Sequence, residues 1–337
     1  MFWPFTSTDP SLDTFRQHYS IRSKLGKGTF GVIFNVISKK NQLKRTAKII
    51  KHIRHQDVVI IADKAMPIEI YALQRVRGHP CIVNYIEHQM VHNTYVIITE
   101  HLPCFTDLYR HITTKGKLSE GRTRTVIQQV IQALEHCFKH GIDHRDIKEE
   151  NIMYNAQSEK IKLIDFGSAS LTASAPYRYA RGTEYYVPPE YHLHRLYYPS
   201  PAASWAVGCL TYCCLTATTP FLNTHQILHE EVQYVGAERC RQFVMGCLRK
   251  KEGCRLRFEG LKNHPWLQPS TERYIATTLW QRLDSRQIYV LFGQDFDVLY
   301  FVIFLWIVWF KLPFKLFILC LKEWNMSVTW LLEHSLV

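Results

Sequence analysis

The feature that most constrains the fold of this chain is a short run at residues 144–151, which reads His-Arg-Asp-Ile-Lys-Glu-Glu-Asn. Fourteen residues after Asn151 comes the first residue of a second run, Asp-Phe-Gly at residues 165–167. The first run matches the pattern H-R-D-x-x-x-x-N, which should arise by chance in well under ~1% of chains of ordinary length. Together the two runs predict one site to which both contribute polar side chains.

The residue types in these runs are those that phosphoryl transfer requires. A carboxylate must orient the attacking hydroxyl group, and oxygen ligands must hold the Mg²⁺ that bridges the phosphates. Cationic side chains must stabilise the negative charge that develops in the transition state. All of these residue types are present in or beside the two runs.

A glycine-rich run lies nearer the start, at residues 26–33, and reads Gly-Lys-Gly-Thr-Phe-Gly-Val-Ile. Glycines permit a tight turn and let backbone N–H groups approach phosphate oxygens, but the same spacing also occurs in ordinary turns and in dinucleotide-binding folds. The dinucleotide version should open a helix, whereas the residues after Gly31 continue as a strand. The pattern therefore favours a glycine-rich hairpin lying over a nucleotide.

Lys48 stands in the middle of an apolar strand-like run at residues 46–50. A charge is costly there unless it has partners. Either its side chain extends to the surface, or it pairs with a carboxylate such as Glu69. Glu69 lies in residues 62–76, whose apolar spacing predicts a helix.

These motifs, in this order, resemble those of the eukaryotic protein kinase family over residues 19–267. The resemblance implies an α+β, two-lobed protein kinase fold with ATP bound between the lobes. The small lobe, 19–100, is expected to be an antiparallel β-sheet with one helix, and the larger lobe, 103–267, to be mostly helical. The local patterns agree, because strand-like runs surround a single helical stretch before residue 100 and helical spacing dominates after it.

The resemblance implies a role for each matching residue. The catalytic residues would be Asp146 as the base, Lys148 on the γ-phosphate, and Lys48 paired with Glu69. Mg²⁺ would be held by Asn151 and Asp165, substrate would lie against Thr183, and Glu190 would pair with Arg255 for structural reasons. The ATP-binding residues would be Leu25, Gly26, Lys27, Gly28, Thr29, Phe30, Gly31, Val32, Ile33, Lys48, Glu100 and Leu102.

Several runs resemble more narrowly the Pim group of serine/threonine kinases, among them residues 144–151, 186–191 and 263–266. Ala203 stands where most kinases carry aspartate, a difference shared with Pim. The resemblance implies transfer to serine or threonine, and activity without phosphorylation of the activation segment, which includes residues 168–179 and ends at residues 188–190. One departure is Leu102, which replaces a Pim proline and restores a backbone N–H donor. Adenine would then bond both the Glu100 carbonyl and the Leu102 N–H, beside Thr99 as gatekeeper.

Substrate preference follows from charge. Asp107, Glu149 and Glu150 are expected to line the rim of the site, where carboxylates would pair with arginine in a protein substrate. The alternative is that two of the three are ordinary solvated acids. The competing function is a catalytically weak pseudokinase or scaffold, but the intact set of Lys48, Glu69, Asp146, Asn151 and Asp165 favours an enzyme.

The net charge of +12 comes from residues 1–270 and is scattered without a long Lys/Arg block, which favours a solvated basic surface over a nucleic-acid partner. Ten cysteines without a CxxC pair, and the absence of a signal-like N-terminus, predict a cytoplasmic or nuclear protein. We expect a monomer.

Outside the kinase domain we expect an N-terminal extension (1–18), a linker (268–297), a hydrophobic segment (298–322) and a C-terminal tail (323–337). The hydrophobic segment is long enough to cross a bilayer if it is helical, but Lys311, Pro313 and Lys315 interrupt it. It is either a kinked membrane anchor, an interfacial or re-entrant helix, a helix packed on the kinase, or a segment without a function.

Overall fold

The computed structural model describes residues 12–28, 31–50, 57–61, 64–91, 94–233 and 236–268. Thr29 and Phe30, the first eleven residues of the predicted extension, and the predicted linker beyond residue 268 lie outside these ranges, as do the hydrophobic segment and the tail. Among the described residues, no helix combines the length and the apolar character that spanning a bilayer requires.

The elements follow the predicted order of strands first and helices later. The strands are β1 (Tyr19–Gly28), β2 (Gly31–Ser38), β3 (Lys44–Ile50), β4 (Val58–Ile61), β5 (Lys64–Pro67), β6 (Tyr85–Val91), β7 (Thr94–Glu100), β8 (Thr106–Asp107), β9 (Ile142–Asp143), β10 (Ile152–Asn155), β11 (Lys160–Leu163) and β12 (Ser170–Leu171). The helices are α1 (Asp13–His18), α2 (Ile68–Arg75), α3 (Leu108–Lys115), α4 (Glu120–Lys139), α5 (Pro189–His194), α6 (Pro199–Thr216), α7 (Thr224–His229), α8 (Glu238–Cys247) and α9 (Phe258–Leu261).

The small lobe is built on an antiparallel sheet with the strand order β1-β2-β3-β7-β6. Alternate residues of β2, such as Val32, Phe34 and Val36, are buried, as expected for strands with one covered face. Leu12, which precedes α1, and Phe15 of α1 pack into the same apolar cluster and are fully buried. Residues 12–18 therefore complete the small lobe instead of extending away from it.

The helix that carries Glu69 is shorter than the spacing of residues 62–76 predicts. Residues 64–67 form β5, which pairs with β4 as a hairpin, and α2 begins only at Ile68. Pro67 explains the boundary, because proline disfavours the helical conformation in the residue before it and is itself extended here, with ψ 133°. The helical spacing prediction was therefore wrong for its first turn.

The large lobe is organised around α4 and α6. Helix α4 buries Val126, Ile127, Val130, Ile131 and Leu134 along one face, and the side chain of Ser119 caps its first turn. Helix α6 is buried around most of its circumference, which suits a central helix without a solvent face. Helix α4 also packs against β11, and the runs at 144–151 and 165–167 flank the β10–β11 hairpin on its two sides.

Candidate active site

Three charged side chains meet between the lobes at Lys48. Its ammonium group lies 2.7 and 2.9 Å from the two carboxylate oxygens of Glu69 and 2.7 Å from Oδ1 of Asp165. Lys48 comes from the middle of β3, Glu69 from the first turn of α2, and Asp165 from the turn after β11. The predicted pairing of Lys48 with Glu69 is thus present in the structure.

Burial and mutual attraction set the charges of this triad. Burial raises the pKa of Glu69 to about 7, with Lys48 opposing the shift and Asp165 adding to it. Burial acts to lower the pKa of Lys48, but the two carboxylates outweigh it and raise that pKa. Burial likewise acts to raise the pKa of Asp165, but Lys48 and the Gly167 N–H outweigh it and lower that pKa. Lys48 therefore remains a cation, and Glu69 is the member that can take up a proton near neutral pH.

The glycine-rich run forms a β-hairpin beside Lys48. Gly28 pairs with Gly31 across the hairpin, and Ile33 pairs with Lys48 on the next strand. A Cβ atom at Gly31 would overlap the carbonyl oxygen of Ile49, so only glycine fits at this contact. The strand after Gly31 confirms the hairpin interpretation over the strand-to-helix turn of a dinucleotide-binding fold.

Asp146 lies in the middle of the run at residues 144–151, the expected catalytic loop, and is buried. The side-chain amide nitrogen of Asn151 donates to the backbone oxygen of Asp146 (2.8 Å) and to Asp146 Oδ2 (2.9 Å). The ammonium of Lys148 lies 3.3 Å from the same Oδ2 and donates to the hydroxyl of Thr183 at 2.7 Å. The backbone N–H of Thr183 donates to Asp146 Oδ1 at 3.2 Å. The predicted residues Asp146, Lys148, Asn151 and Thr183 therefore lie together.

Local backbone geometry joins the two runs. Strands β10 and β11 pair with Ile152 opposite Leu163, which brings the residues just before and just after them, Asn151 and Asp165, to the same end of the hairpin. His144 forms a hydrogen bond between its Nε2 and the carbonyl of Ile164, at 3.0 Å. Ile164 directly precedes the second run, so this bond fixes that run to the first. Asp165 adopts a left-handed conformation with φ 60°, an uncommon one for a non-glycine residue.

Arg145 contacts two tyrosines of the activation segment, Tyr177 and Tyr179, and a third, Tyr197, that follows α5. Its guanidinium lies 3.9 Å from the ring centre of Tyr177 and donates from Nε to the Tyr197 hydroxyl at 3.1 Å. Its Nη2 also donates to the Tyr179 carbonyl. The Tyr177 hydroxyl in turn donates to buried Asp143. The sequence gave no sign of this aromatic cluster.

The structural pair is present as expected. The guanidinium of Arg255 donates to both carboxylate oxygens of Glu190, at 2.8 and 2.7 Å, and the side chain of Arg255 has no exposed surface. It also donates to the backbone carbonyl of Pro201 at 3.0 Å. The pair therefore ties the end of the activation segment to the loop after α8.

In the hinge, residues 100–104 between the two lobes, Glu100 ends β7 and its side chain accepts hydrogen bonds from Lys162 (2.7 Å) and from the Asn84 N–H (2.8 Å). These two hydrogen bonds fix the Glu100 carboxylate to Lys162 and to the backbone at Asn84. Among the described residues, no backbone carbonyl accepts a hydrogen bond from the Leu102 N–H.

The three acids predicted for the rim differ in position. Glu150 is exposed. Asp107 is half-buried, caps α3 by accepting from the Arg110 N–H at 2.7 Å, and lies opposite Met153 of β10. Glu149 is turned inward and accepts a hydrogen bond from the Tyr186 hydroxyl. The inward position departs from the expected rim role, because the Tyr186 hydroxyl offers Glu149 a buried partner that the sequence did not reveal.

The oxygen-bearing side chains suit the ligands that the motifs imply. Mg²⁺ binds through one or two carboxylates together with phosphate oxygens and water, so Asp165 and Asn151 are an adequate protein contribution. In the described ranges, no group of three or more His, Cys, Asp or Glu side chains is arranged to hold a metal ion.

A two-lobed α+β fold with these groups at the junction of the lobes defines a class of phosphotransferases. The model of the protein kinase domain matches residues 19–267, which is most of the chain. The chain therefore belongs to the protein kinase family, and the predicted fold and enzyme class are confirmed.

Individual relatives agree with this assignment. The Caenorhabditis elegans protein named serine/threonine-protein kinase prk-2 is 30% identical over 275 residues, which are 78% of this chain and 61% of that protein. Serine/threonine-protein kinase pim-2 of Danio rerio is 30% identical over 269 residues, 76% of this chain and 87% of its own length. Serine/threonine-protein kinase 1 of African swine fever virus (isolate Tick/Malawi/Lil 20-1/1983) is 33% identical over 201 residues, 58% of this chain and 66% of the viral protein. The matched region thus covers less than two thirds of the nematode protein and of this viral protein. The resemblance is confirmed for the protein kinase family, and a pim-2 protein is among the relatives.

Proposed function

We propose that this protein transfers the γ-phosphoryl group of Mg·ATP to serine or threonine hydroxyl groups of protein substrates that carry basic residues beside the acceptor. The observation that carries the proposal is the cluster of Asp146, Lys148, Asn151 and Thr183. It joins a fixed carboxylate to a cation at the place where an acceptor hydroxyl and a phosphate would meet.

Each side chain has a definite task in this mechanism. Asp146 accepts the proton of the substrate hydroxyl and orients it, and the two hydrogen bonds from Asn151 fix the direction of the carboxylate. Lys148 offsets the negative charge that grows on the transferred group, and Lys48 holds the nucleotide phosphates. Mg²⁺, held by Asp165 and Asn151, would neutralise phosphate charge when bound.

We propose further that no phosphate is needed on the activation segment. The guanidinium of Arg145, the residue before the catalytic aspartate, could bind such a phosphate, and here it contacts Tyr177, Tyr197 and the Tyr179 carbonyl. These contacts hold the segment to the catalytic loop with neutral groups of the protein itself. The Pim resemblance implies the same property.

Basic substrates are favoured by Glu150, the exposed acid of the catalytic loop, with Asp107 close to that loop through the pairing of β8 and β10. A direct test compares initial rates of the full chain on serine, threonine and tyrosine peptides, each with arginine or with alanine before the acceptor. We expect serine and threonine peptides with arginine to be preferred, and Glu150→Gln to weaken only that arginine preference. Transfer to none of the peptides, by a folded protein that binds ATP, would instead support a scaffold.

The free N–H of the hinge predicts a contact with adenine. Leu102→Pro removes that donor and should raise KM for ATP about three- to tenfold, the range expected for one hydrogen bond. His101→Ala, which keeps the backbone donor, serves as the control. An unchanged KM in Leu102→Pro would mean that adenine does not use this N–H.

The raised pKa of Glu69 predicts an acid limb in the pH profile. As pH falls through about 7, Glu69 takes up a proton and loses its ion pair with Lys48, so kcat/KM for ATP should fall. The charge of Asp165 helps to raise the pKa of Glu69. In the ATP complex Mg²⁺ would offset that charge, so the acid limb of kcat should lie at lower pH than the acid limb of kcat/KM. The stability of the protein should respond to pH in the opposite direction. Because the pKa of Glu69 is raised in the folded state, the contribution of Glu69 to the free energy of unfolding declines as pH rises to about 7. An acid limb that persists unchanged in Glu69→Gln would assign it to another group.

Gly182 is expected to be indispensable for turnover. It has φ +85°, and a Cβ atom there would lie 2.6 Å from Asp146 Oδ1 and 2.7 Å from the Arg145 carbonyl oxygen. Gly182→Ala should therefore displace Asp146 or Thr183 and lower kcat about a hundredfold. Gly116→Ala is the matched control, because Gly116 has φ +83° with open space around it. The control should share the backbone strain yet keep kcat; equal kcat losses in both variants would show that strain alone is responsible.

A further inference from the structure

An ion pair outside the motifs of the site joins the two lobes. Nη1 of Arg181, in the activation segment, lies 3.2 Å from Oδ1 of Asp57, in the small lobe. The side chains retain only 16% and 11% of their exposure, so water screens the pair weakly. Neither residue belongs to a motif that the sequence analysis used.

On the small-lobe side, Asp57 is placed beside the helix that carries Glu69. It immediately precedes β4, and Val58 of β4 pairs with Pro67 at the end of β5. Because Pro67 is directly followed by the first residue of α2, the hairpin folds Asp57 back towards the start of that helix. Glu69, in the first turn of α2, then reaches Lys48.

On the large-lobe side, Arg181 immediately precedes Gly182 and Thr183. Thr183 donates to Asp146 and accepts from Lys148, so a shift of Arg181 would be passed to the catalytic carboxylate. Nη1 of Arg181 also donates to the Ala169 carbonyl at 3.2 Å, shortly after Asp165. Arg181 therefore holds the end of the activation segment to its beginning as well as to the small lobe.

We propose that Asp57 and Arg181 are positioning residues that align the Lys48–Glu69 pair of the small lobe with the Asp146–Thr183 contact of the large lobe. The inference rests on the proposed phosphotransfer and goes beyond it, since it assigns the alignment of the two halves of the site to one ion pair. Removing one charge of a buried ion pair is strongly unfavourable. Either substitution alone should therefore weaken the link between the activation segment and the residues that lead into α2.

Charge reversal in the full chain tests this proposal. Asp57→Arg and Arg181→Asp should each lower kcat/KM for ATP roughly tenfold or more, whereas the double variant, which restores an ion pair of opposite direction, should regain most of the loss. Arg181→Lys should keep more activity than Arg181→Gln. The matched control is Arg122→Glu, which breaks an exposed pair with Glu159 (3.1 Å) within the large lobe and should leave the rates unchanged.

Hydrogen–deuterium exchange of the same proteins, measured without ATP, gives a second readout that does not depend on turnover. The single variants should lose protection in α2 and in residues 169–183, and the double variant should regain it. Singles with unchanged rates and protection, or a double variant as impaired as the singles, would overturn the proposal. If the unaltered protein has no kinase activity, the proposed function fails, and the exchange data still decide whether the pair aligns the lobes. Should the reversal variants not fold, Asp57→Asn, Arg181→Gln and their double variant give the same comparison through the non-additivity of their effects.

Discussion

Replacing Asp146 by asparagine is expected to lower kcat by roughly a thousandfold, within the range that a positioned acid–base group contributes. Asparagine preserves the shape of the side chain but cannot accept the proton of the substrate hydroxyl. The change also removes the charge that faces Lys148 at 3.3 Å and the Thr183 N–H at 3.2 Å. Initial rates at saturating ATP and peptide measure the effect, with ATP affinity determined separately by calorimetry.

The matched control is Glu150→Gln, the same exchange of acid for amide four residues further along the loop, at an exposed position. It should leave kcat near the original value and alter only KM for arginine-containing peptides. ATP affinity should change little in either variant, because the groups proposed to hold the nucleotide, such as Lys48, are untouched. If Asp146→Asn kept more than a tenth of the original kcat, Asp146 would not be the catalytic base.

Arg255→Ala is expected to destabilise the protein by about 3–5 kcal/mol, the cost of leaving a buried charge without its partner. Glu190 would keep its carboxylate in a buried position, with the two hydrogen bonds at 2.7–2.8 Å lost. For a domain of this size the melting temperature should fall by roughly 10 °C. Denaturant titration gives the free energy of unfolding, and the loss should be nearly independent of salt because the pair is shielded from solvent.

The exposed pair of Arg241 and Glu238, at 2.9 Å, provides the control for that experiment. Arg241→Ala removes the same kind of side chain from a solvated helix surface and should not change the melting temperature measurably. Equal shifts in the two variants would show that burial of the Glu190–Arg255 pair adds nothing to its contribution.

Much of the candidate site was accessible from the sequence because phosphoryl transfer demands particular residue types at fixed spacings. Asp146, Asn151 and Asp165 come from such runs, and the structure brings Asn151 to Asp146 through a hydrogen bond and Asp165 to Lys48. For Lys48, the apolar strand left two interpretations open, a side chain that extends to the surface or a carboxylate partner, and the resemblance to protein kinases pointed to Glu69.

Other features depend on residues that are distant in the chain and share no local pattern. Glu149 is turned inward because the Tyr186 hydroxyl donates to it. Arg145 is held in place because its guanidinium donates to the Tyr197 hydroxyl. The Asp57–Arg181 pair arises only when the two lobes are assembled. The late start of α2, in contrast, has a local cause in Pro67, which apolar spacing alone does not weigh.

We propose that this chain transfers the phosphoryl group with its activation segment unphosphorylated. The most direct measurement uses the full chain after phosphatase treatment, with mass spectrometry confirming that residues 168–183 carry no phosphate. Formation of phosphoserine on an arginine-containing peptide is then followed from the first turnover, with and without Mg²⁺. We expect Mg²⁺-dependent product to form at once and without a lag. A lag that ends when the chain phosphorylates itself, or no product at all, would contradict the account.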